Sequence, residues 1–332
     1  MGPWEIGDAN HHLQLNLHYA QGHAMHLFNT EFGIYAGTAL VAAFALGAII
    51  HAVRGAGGTA ALRRGLATGL VTLVSMMLAR LATWACLAML GGEDQSAALA
   101  GWLFGLWPGL IDTAALLLAG KSVLGPEGLM WFATIVGTLS GFFDGLWATH
   151  NFKGLGWLSL PLDTTWGLSG TTNGVLLHLV NFAWADHADE PQRGVHRYRQ
   201  GFRFKSGFAF TQGAVMSGMD GHPPDTPLHD HEHLHVWQNR WFGPFFTISY
   251  LGWMAIMLLP ALLIPKSGVN AFLRVEWLAY YNNPWELWAY SRGGYRDANH
   301  AMAWSVAKTL AFAVPFFCLV IAALVIAVLL VV

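Results

Sequence analysis

The chain predicts a mostly α, polytopic helical membrane protein with about six to seven hydrophobic spans, plus a small β-hairpin element ahead of a histidine-rich helix. Three observations carry that prediction. Of 332 residues, 55% are hydrophobic and only 11% charged, against roughly 25% charged in soluble domains. Six apolar stretches are long enough to cross about 30 Å of hydrocarbon as helices. Between residues 195 and 217 the apolar period shortens to two, with glycines interrupting, the pattern of short strands.

Residues 1–31 form a polar segment with His11, His12, His18, His23 and His26. It opens on an acidic stretch without the basic run of a cleavable signal, so the first span is expected to act as an uncleaved one. Its histidines permit either a further metal site or a flexible membrane-surface segment. A membrane helical bundle is expected over residues 32–186, with spans at Phe32–Val53, Leu66–Leu90, Leu99–Ala119 and Gly128–Trp147. Trp157–Trp184 is a weaker candidate, because Leu160–Gly174 is polar and Gly-rich. That segment reads as a broken helix or re-entrant loop, tolerated only when buried in protein or lining a cavity. Arg80, with Asp112 or Asp144 as its partner, is expected to form an ion pair inside the bundle.

The loop with Arg54, Arg63 and Arg64 is basic and the next, with Glu93 and Asp94, acidic. The positive-inside rule then puts the first loop, and by alternation the Arg-rich segment after Trp184, in the cytoplasm. The expected location is a bacterial inner membrane, with the lipid bilayer as the first partner. Both cysteines, Cys86 and Cys318, lie in apolar spans and read as buried hydrophobes, so a disulfide framework is excluded. A net charge of −2 without a basic stripe excludes nucleic acid as a partner.

A metal-site region follows over residues 187–300, and the C-terminal span over residues 301–332. Gly221–Pro227 is a Pro/Gly/Asp-rich loop, and a helix starts near Thr226 or Pro227, with the hydroxyl as cap. It carries His231-Glu232-His233-Leu234-His235, an H-E-x-x-H motif. Residues four apart share a helix face, so His231 and His235 offer two imidazoles to one Zn²⁺. Glu232 sits beside them, placed to take a proton from metal-bound water. His233 points elsewhere. A third ligand is needed, and a carboxylate on a neighbouring helix is a standard answer. Glu286 of Asn283-Pro284-Trp285-Glu286, at a helix start, is the best candidate. Gln238, Tyr290 and Asp297 are candidates to orient ligands or polarise a carbonyl, and Asp225 or Asp230 to hold an imidazole.

Asn283-x-x-Glu286-x-x-Ala289 resembles the third-ligand helix of gluzincins, the thermolysin-like zinc peptidases. With Thr211-Gln-Gly-Ala-Val-Met216, H-E-x-x-H-V-x-Gln238 and Gly243-Pro244, it also resembles a largely uncharacterised group of bacterial membrane proteins carrying H-E-x-x-H…N-P-x-E. The likeness covers about residues 205–292. It implies one zinc on His231, His235 and Glu286, with Glu232 as base. By analogy with such peptidases, Phe208–Val215 is expected to be an edge strand able to pair with a peptide.

A single crossing by Phe242–Ile264 would leave Glu286 on the wrong face of the membrane. A hairpin over residues 242–281, broken at Pro260, Pro265 and Gly268 and returning through Ala271–Tyr281, resolves the conflict. The functional expectation is a membrane-embedded zinc hydrolase, a metallopeptidase acting on a peptide or membrane protein near the cytoplasmic face. The alternative is a non-catalytic metal-binding transporter or sensor. A membrane di-iron enzyme would need several H-x-x-H-H boxes, and His11-His12 is the one adjacent histidine pair.

Overall fold

A computed structural model describes residues 27–92, 94–188, 190–263, 270–293 and 305–329. The amino-terminal histidines His11, His12, His18, His23 and His26, together with Pro265, Gly268 and Asp297, lie outside the described residues. The chain is mostly α, with a small four-stranded sheet. It divides into two compact units, Met1–Ala148 with Val328–Val332, and Thr149–Ala327. Five helices among the described residues are long and apolar enough to cross a membrane.

In the first unit α1 (Thr30–Val53), α2 (Gly58–Leu90) and α5 (Gly125–Trp147) are three of those five. Gly137, Gly141 and Gly145, spaced four apart on α5, lie against Ser75, Thr72 and Thr68 of α2. A Cβ at Gly141 would come within 2.7 Å of the Ser75 Cβ. Small residues at every fourth position let two backbones approach where lipid supplies no hydrophobic drive. Arg80 of α2 is fully buried and donates to the Leu27 carbonyl at 2.8 Å. Its guanidinium lies 5.0 Å from the Phe32 ring centre and 4.9 Å from that of Trp131.

Two expectations are corrected here. Among the described residues the acid beside Arg80 is Glu127, at 3.5 Å. Asp112 instead accepts the backbone N–H groups of Val123, Leu124 and Gly125, capping the turn into α5, while Asp144 accepts from Ser140. Leu99–Ala119 is a tight helical pair, α3 (Asp94–Phe104) and α4 (Trp107–Ala119), each too short to span. Gly105 and Pro108 break the run, and Gly101 meets Gly109 so closely that a Cβ would lie 2.6 Å from its nitrogen. Apolar length alone does not distinguish one long helix from two short ones.

In the second unit the polar segment is a broken helix: a 3₁₀ turn (Gly154–Leu158), α6 (Ser159–Thr164) and α7 (Leu168–Phe182). Of the six to seven expected spans, five are single helices long enough to cross among the described residues, while Leu99–Ala119 and Trp157–Trp184 are each broken into shorter helices. Strands β1 (His187–Ala188), β2 (His196–Tyr198), β3 (Phe210–Gln212) and β4 (Val215–Ser217) pair in the order β1-β2-β4-β3. β3 and β4 form the expected hairpin, turning at Gly213, whose φ of 55° and approach to the Gly170 carbonyl leave no room for a side chain. The edge strand is shorter than Phe208–Val215, because Val215 already belongs to β4, the partner of β3. Val215 packs with Leu177 of α7 and Tyr198. Met216, on the other face, packs with Val195, Met219 and Val236.

Val236 belongs to α8 (Pro227–Phe242). Pro227 occupies its first turn as expected, but Thr226 does not cap; its hydroxyl bonds the Pro223 carbonyl instead. Gly243, at φ 52° against Trp166, separates α8 from α9 (Pro244–Leu263). The chain then returns through α10 (Ala271–Val275) and a π-helical segment, Glu276–Tyr281. Cross-links mark an antiparallel hairpin: Arg274 donates to the Ala261 carbonyl, Trp253 to Leu278, and Asn283 to Tyr250. Pro260 lies within α9 and does not end it. The return brings α11 (Pro284–Gly293) against α8, and α12 (Val306–Leu329) closes the described chain.

Candidate metal centre

Two short segments build the site. On α8, His231 and His235 follow one another by about one turn, and their Nε2 atoms are 3.2 Å apart. Just before α11, Asn283 accepts the Trp285 N–H through its side chain and donates to the Tyr250 carbonyl at the base of the hairpin. That double contact fixes the helix start and delivers Glu286 one turn in. Ala289, fully buried, lets α11 lie close. Glu286 Oε2 is 3.2 Å from His231 Nε2, and its Oε1 is 3.2 Å from His235 Nε2.

These three side chains form the one His/Cys/Asp/Glu group of metal-binding spacing found among the described residues. Ligands about 2.0–2.1 Å from a tetrahedral zinc lie about 3.3 Å from one another, close to the separations here. The donor set suits zinc, and Glu286 Oε2 is buried without a hydrogen-bond partner. His235 Nδ1 pairs with Gln238 Oε1 at 2.8 Å, and Gln238 Nε2 donates to the Trp285 carbonyl. An amide thus directs His235 Nε2 at Glu286 and ties the two helices together. Tyr250 donates to Glu286 Oε1 at 2.6 Å.

The electrostatics follow from burial. Desolvation disfavours the His235 imidazolium, but the adjoining Glu286 carboxylate outweighs it and raises the group to about 9. Desolvation likewise opposes the Glu286 charge, yet His235 and His231 hold that carboxyl well below its ordinary range. Tyr290, whose ring lies 4.4 Å from that of His231, is pushed far upward by burial and by Glu286, and stays a hydrogen-bond donor. Glu232 is 4% exposed and accepts the Thr211 hydroxyl of β3 at 2.5 Å.

The residues expected to act together do lie together: His231, His235, Glu286 and Glu232, with Gln238 and Tyr290 beside them. The proposed carboxylate orienters do not. Asp230 lies 3.7 Å from His229 instead, and His231 Nδ1 has no hydrogen-bond partner. Asp163, within the Leu160–Gly174 segment expected to be buried in protein or to line a cavity, pairs with the buried Arg240 of α8 at 2.8 and 2.9 Å. Gly167 and Gly170 of the broken helix meet the Asn239 side chain. The broken helix therefore braces α8.

Sequence reasoning missed Thr211 as the partner of Glu232 and Tyr250 as the partner of Glu286. It also missed a buried group of rings. His178 bonds the Tyr198 hydroxyl at 2.8 Å, and His187 Nε2 meets His196 Nδ1 at 3.1 Å. Their separations in sequence carry no motif. No family model, curated protein or solved structure matches the chain.

Proposed function

We propose that this protein is a membrane-embedded zinc-dependent hydrolase, a metallopeptidase, with its single catalytic ion on His231, His235 and Glu286. The convergence of three buried ligand side chains, each 3.2 Å from the next, with an acid one residue from the first histidine, supports this reading above all. When bound, zinc lowers the pKa of a coordinated water to about 7 and polarises a carbonyl. The remaining work falls to the protein. Glu232, oriented by Thr211, takes a proton from the attacking water and delivers it to the leaving amine nitrogen as the C–N bond breaks. The Tyr290 phenol is the donor for the carbonyl oxygen as charge develops on it.

The substrate class we assign is a peptide or membrane protein presented at the bilayer interface, since the site sits at the base of an apolar hairpin. We place that interface on the cytoplasmic side of a bacterial inner membrane. Arg193, Arg199, Arg203 and Lys205, all exposed in the same region, support that orientation.

Glu232→Gln tests the assignment, using purified protein in detergent with metal analysis and a quenched fluorescent peptide mixture. Zinc content is expected to hold and turnover to fall at least about 100-fold. Undiminished hydrolysis would remove Glu232 as the base. Zinc binding by the unaltered protein without any hydrolysis would favour the transporter or sensor reading.

A further inference from the structure

α8 carries histidine at four alternate positions, 229, 231, 233 and 235. At about 100° per residue these make two pairs, each four apart, on nearly opposite faces of the helix. The pair 231/235 faces Glu286. The pair 229/233 faces a different carboxylate, Glu190, from the loop between β1 and β2.

His229 is 4% exposed, and its ring centre lies 5.6 Å from that of His233. Glu190 Oε2 is 3.9 Å from His229 Nε2, beyond hydrogen-bonding range. The other oxygen, Oε1, accepts from Arg197 Nε, and Arg197 in turn reaches the His222 carbonyl. Four buried atoms consequently have no hydrogen-bond partner: both ring nitrogens of His229, His233 Nε2 and Glu190 Oε2. Buried polar atoms are nearly always satisfied, so four orphans in one place call for an occupant.

Their chemistry says which. They are two imidazoles and one carboxylate, the same donor set as the first site. Asp230 Oδ1 lies 3.7 Å from His229 Nδ1, too far for a hydrogen bond as it stands but on the side where a carboxylate commonly steadies a ligating imidazole. Of the nearby cations, Arg240 is paired with Asp163, while Arg197 shares Glu190 with the proposed site.

We propose that His229, His233 and Glu190 form a second divalent-cation site, of zinc type, on the face of α8 turned away from the first. It would clamp the β1–β2 loop to α8 and fix the rotation of the helix that carries the first site. His229 Nε2 and Glu190 Oε2 are 3.9 Å apart, and the three ligand atoms do not all lie within 4.8 Å of one another as those of the first site do, so side-chain rotation must close at least one gap by more than about 1.5 Å to reach the about 3.3 Å between tetrahedral ligands.

The test counts metal on the full chain in detergent, stripped with chelator and retitrated with Zn²⁺ or Co²⁺, with thermal melting as a folding control. The unaltered protein is expected to bind two equivalents. His229→Ala/His233→Ala and His231→Ala/His235→Ala should each bind one, and the fourfold variant none. Glu190→Gln, the milder change, should weaken one of the two equivalents at least tenfold and leave the other unchanged. A single equivalent that survives His229→Ala/His233→Ala, and is indifferent to Glu190→Gln, overturns the proposal and leaves the orphaned atoms to water. A single equivalent lost in His229→Ala/His233→Ala, but kept in His231→Ala/His235→Ala, upholds this site and removes the first.

Discussion

At the scale of single residues, the proposed zinc site sets protons against metal. In the metal-free state His235 and Glu286 hold each other charged, the imidazole raised to about 9 from an ordinary 6.5 and the carboxyl lowered from 4.5. A raised imidazole stabilises the fold fully below its unfolded value and loses that contribution as pH climbs through the folded one. A lowered carboxyl does the reverse, contributing above its unfolded value and losing it on acidification. The metal-free protein should therefore keep this pair's contribution from about pH 4.5 to about 6.5, and shed it progressively towards pH 9. Zinc needs the neutral imidazole, so binding at pH 7 should release close to one proton from His235 and tighten as pH rises. Calorimetry in buffers of different ionisation enthalpy measures that proton; no release at pH 7 would mean that the buried pair is already neutral. The four central residues were legible because they fall in two short motifs with fixed helical spacing. Gln238 was legible only as a polar residue one turn on. Tyr250 and Thr211 were not, because their roles depend on chain returns that no local period encodes.

Elements position these residues, and α8 is braced from three sides. It is held by the sheet through Val236, by α11 through Gln238, and by the broken helix through Arg240 and Asp163. Arg240 is fully buried, so its pairing matters more than that of a surface ion. Removing one partner of a buried pair costs about 3–5 kcal/mol, because the other charge stays behind uncompensated, whereas replacing both with apolar residues can be nearly neutral. Asp163→Ala should accordingly destabilise the protein by about 3–5 kcal/mol, and Asp163→Leu/Arg240→Met by much less. Denaturation in mild detergent compares them; equal losses would show that the pair acts through shape and not charge. The sequence announced the break in this segment through its Gly, Pro and Thr content. It did not announce the use of the break, since Asp163 and Arg240 are far apart in the chain. Leu99–Ala119 failed for the opposite reason. Its apolar run was long enough, and the Gly105 and Pro108 signals inside it were outweighed by length.

At the scale of the whole molecule, composition settled the class and a geometric conflict settled the path of the chain. A charged fraction of 11% leaves little alternative to a bilayer, and the H-E-x-x-H helix and Glu286 must share one side of it. The hairpin of α9 with α10 and the π-helical segment meets that demand. Its bonds pair residue 261 with 274, 253 with 278 and 250 with 283, a steady antiparallel register that a single crossing lacks. The register has a consequence for labelling. Cysteines placed at the exposed Asp220 and Ser291, in a chain whose Cys86 and Cys318 are changed to alanine, flank the site from its two contributing segments. Both should react with a membrane-impermeant maleimide in inside-out vesicles, and neither in sealed right-side-out ones. If both react only from the outer side, the orientation reverses while the shared site stands. If they react from opposite sides, residues 242–281 cross once, His231 and Glu286 are separated by the thickness of the bilayer, and no single ion joins them.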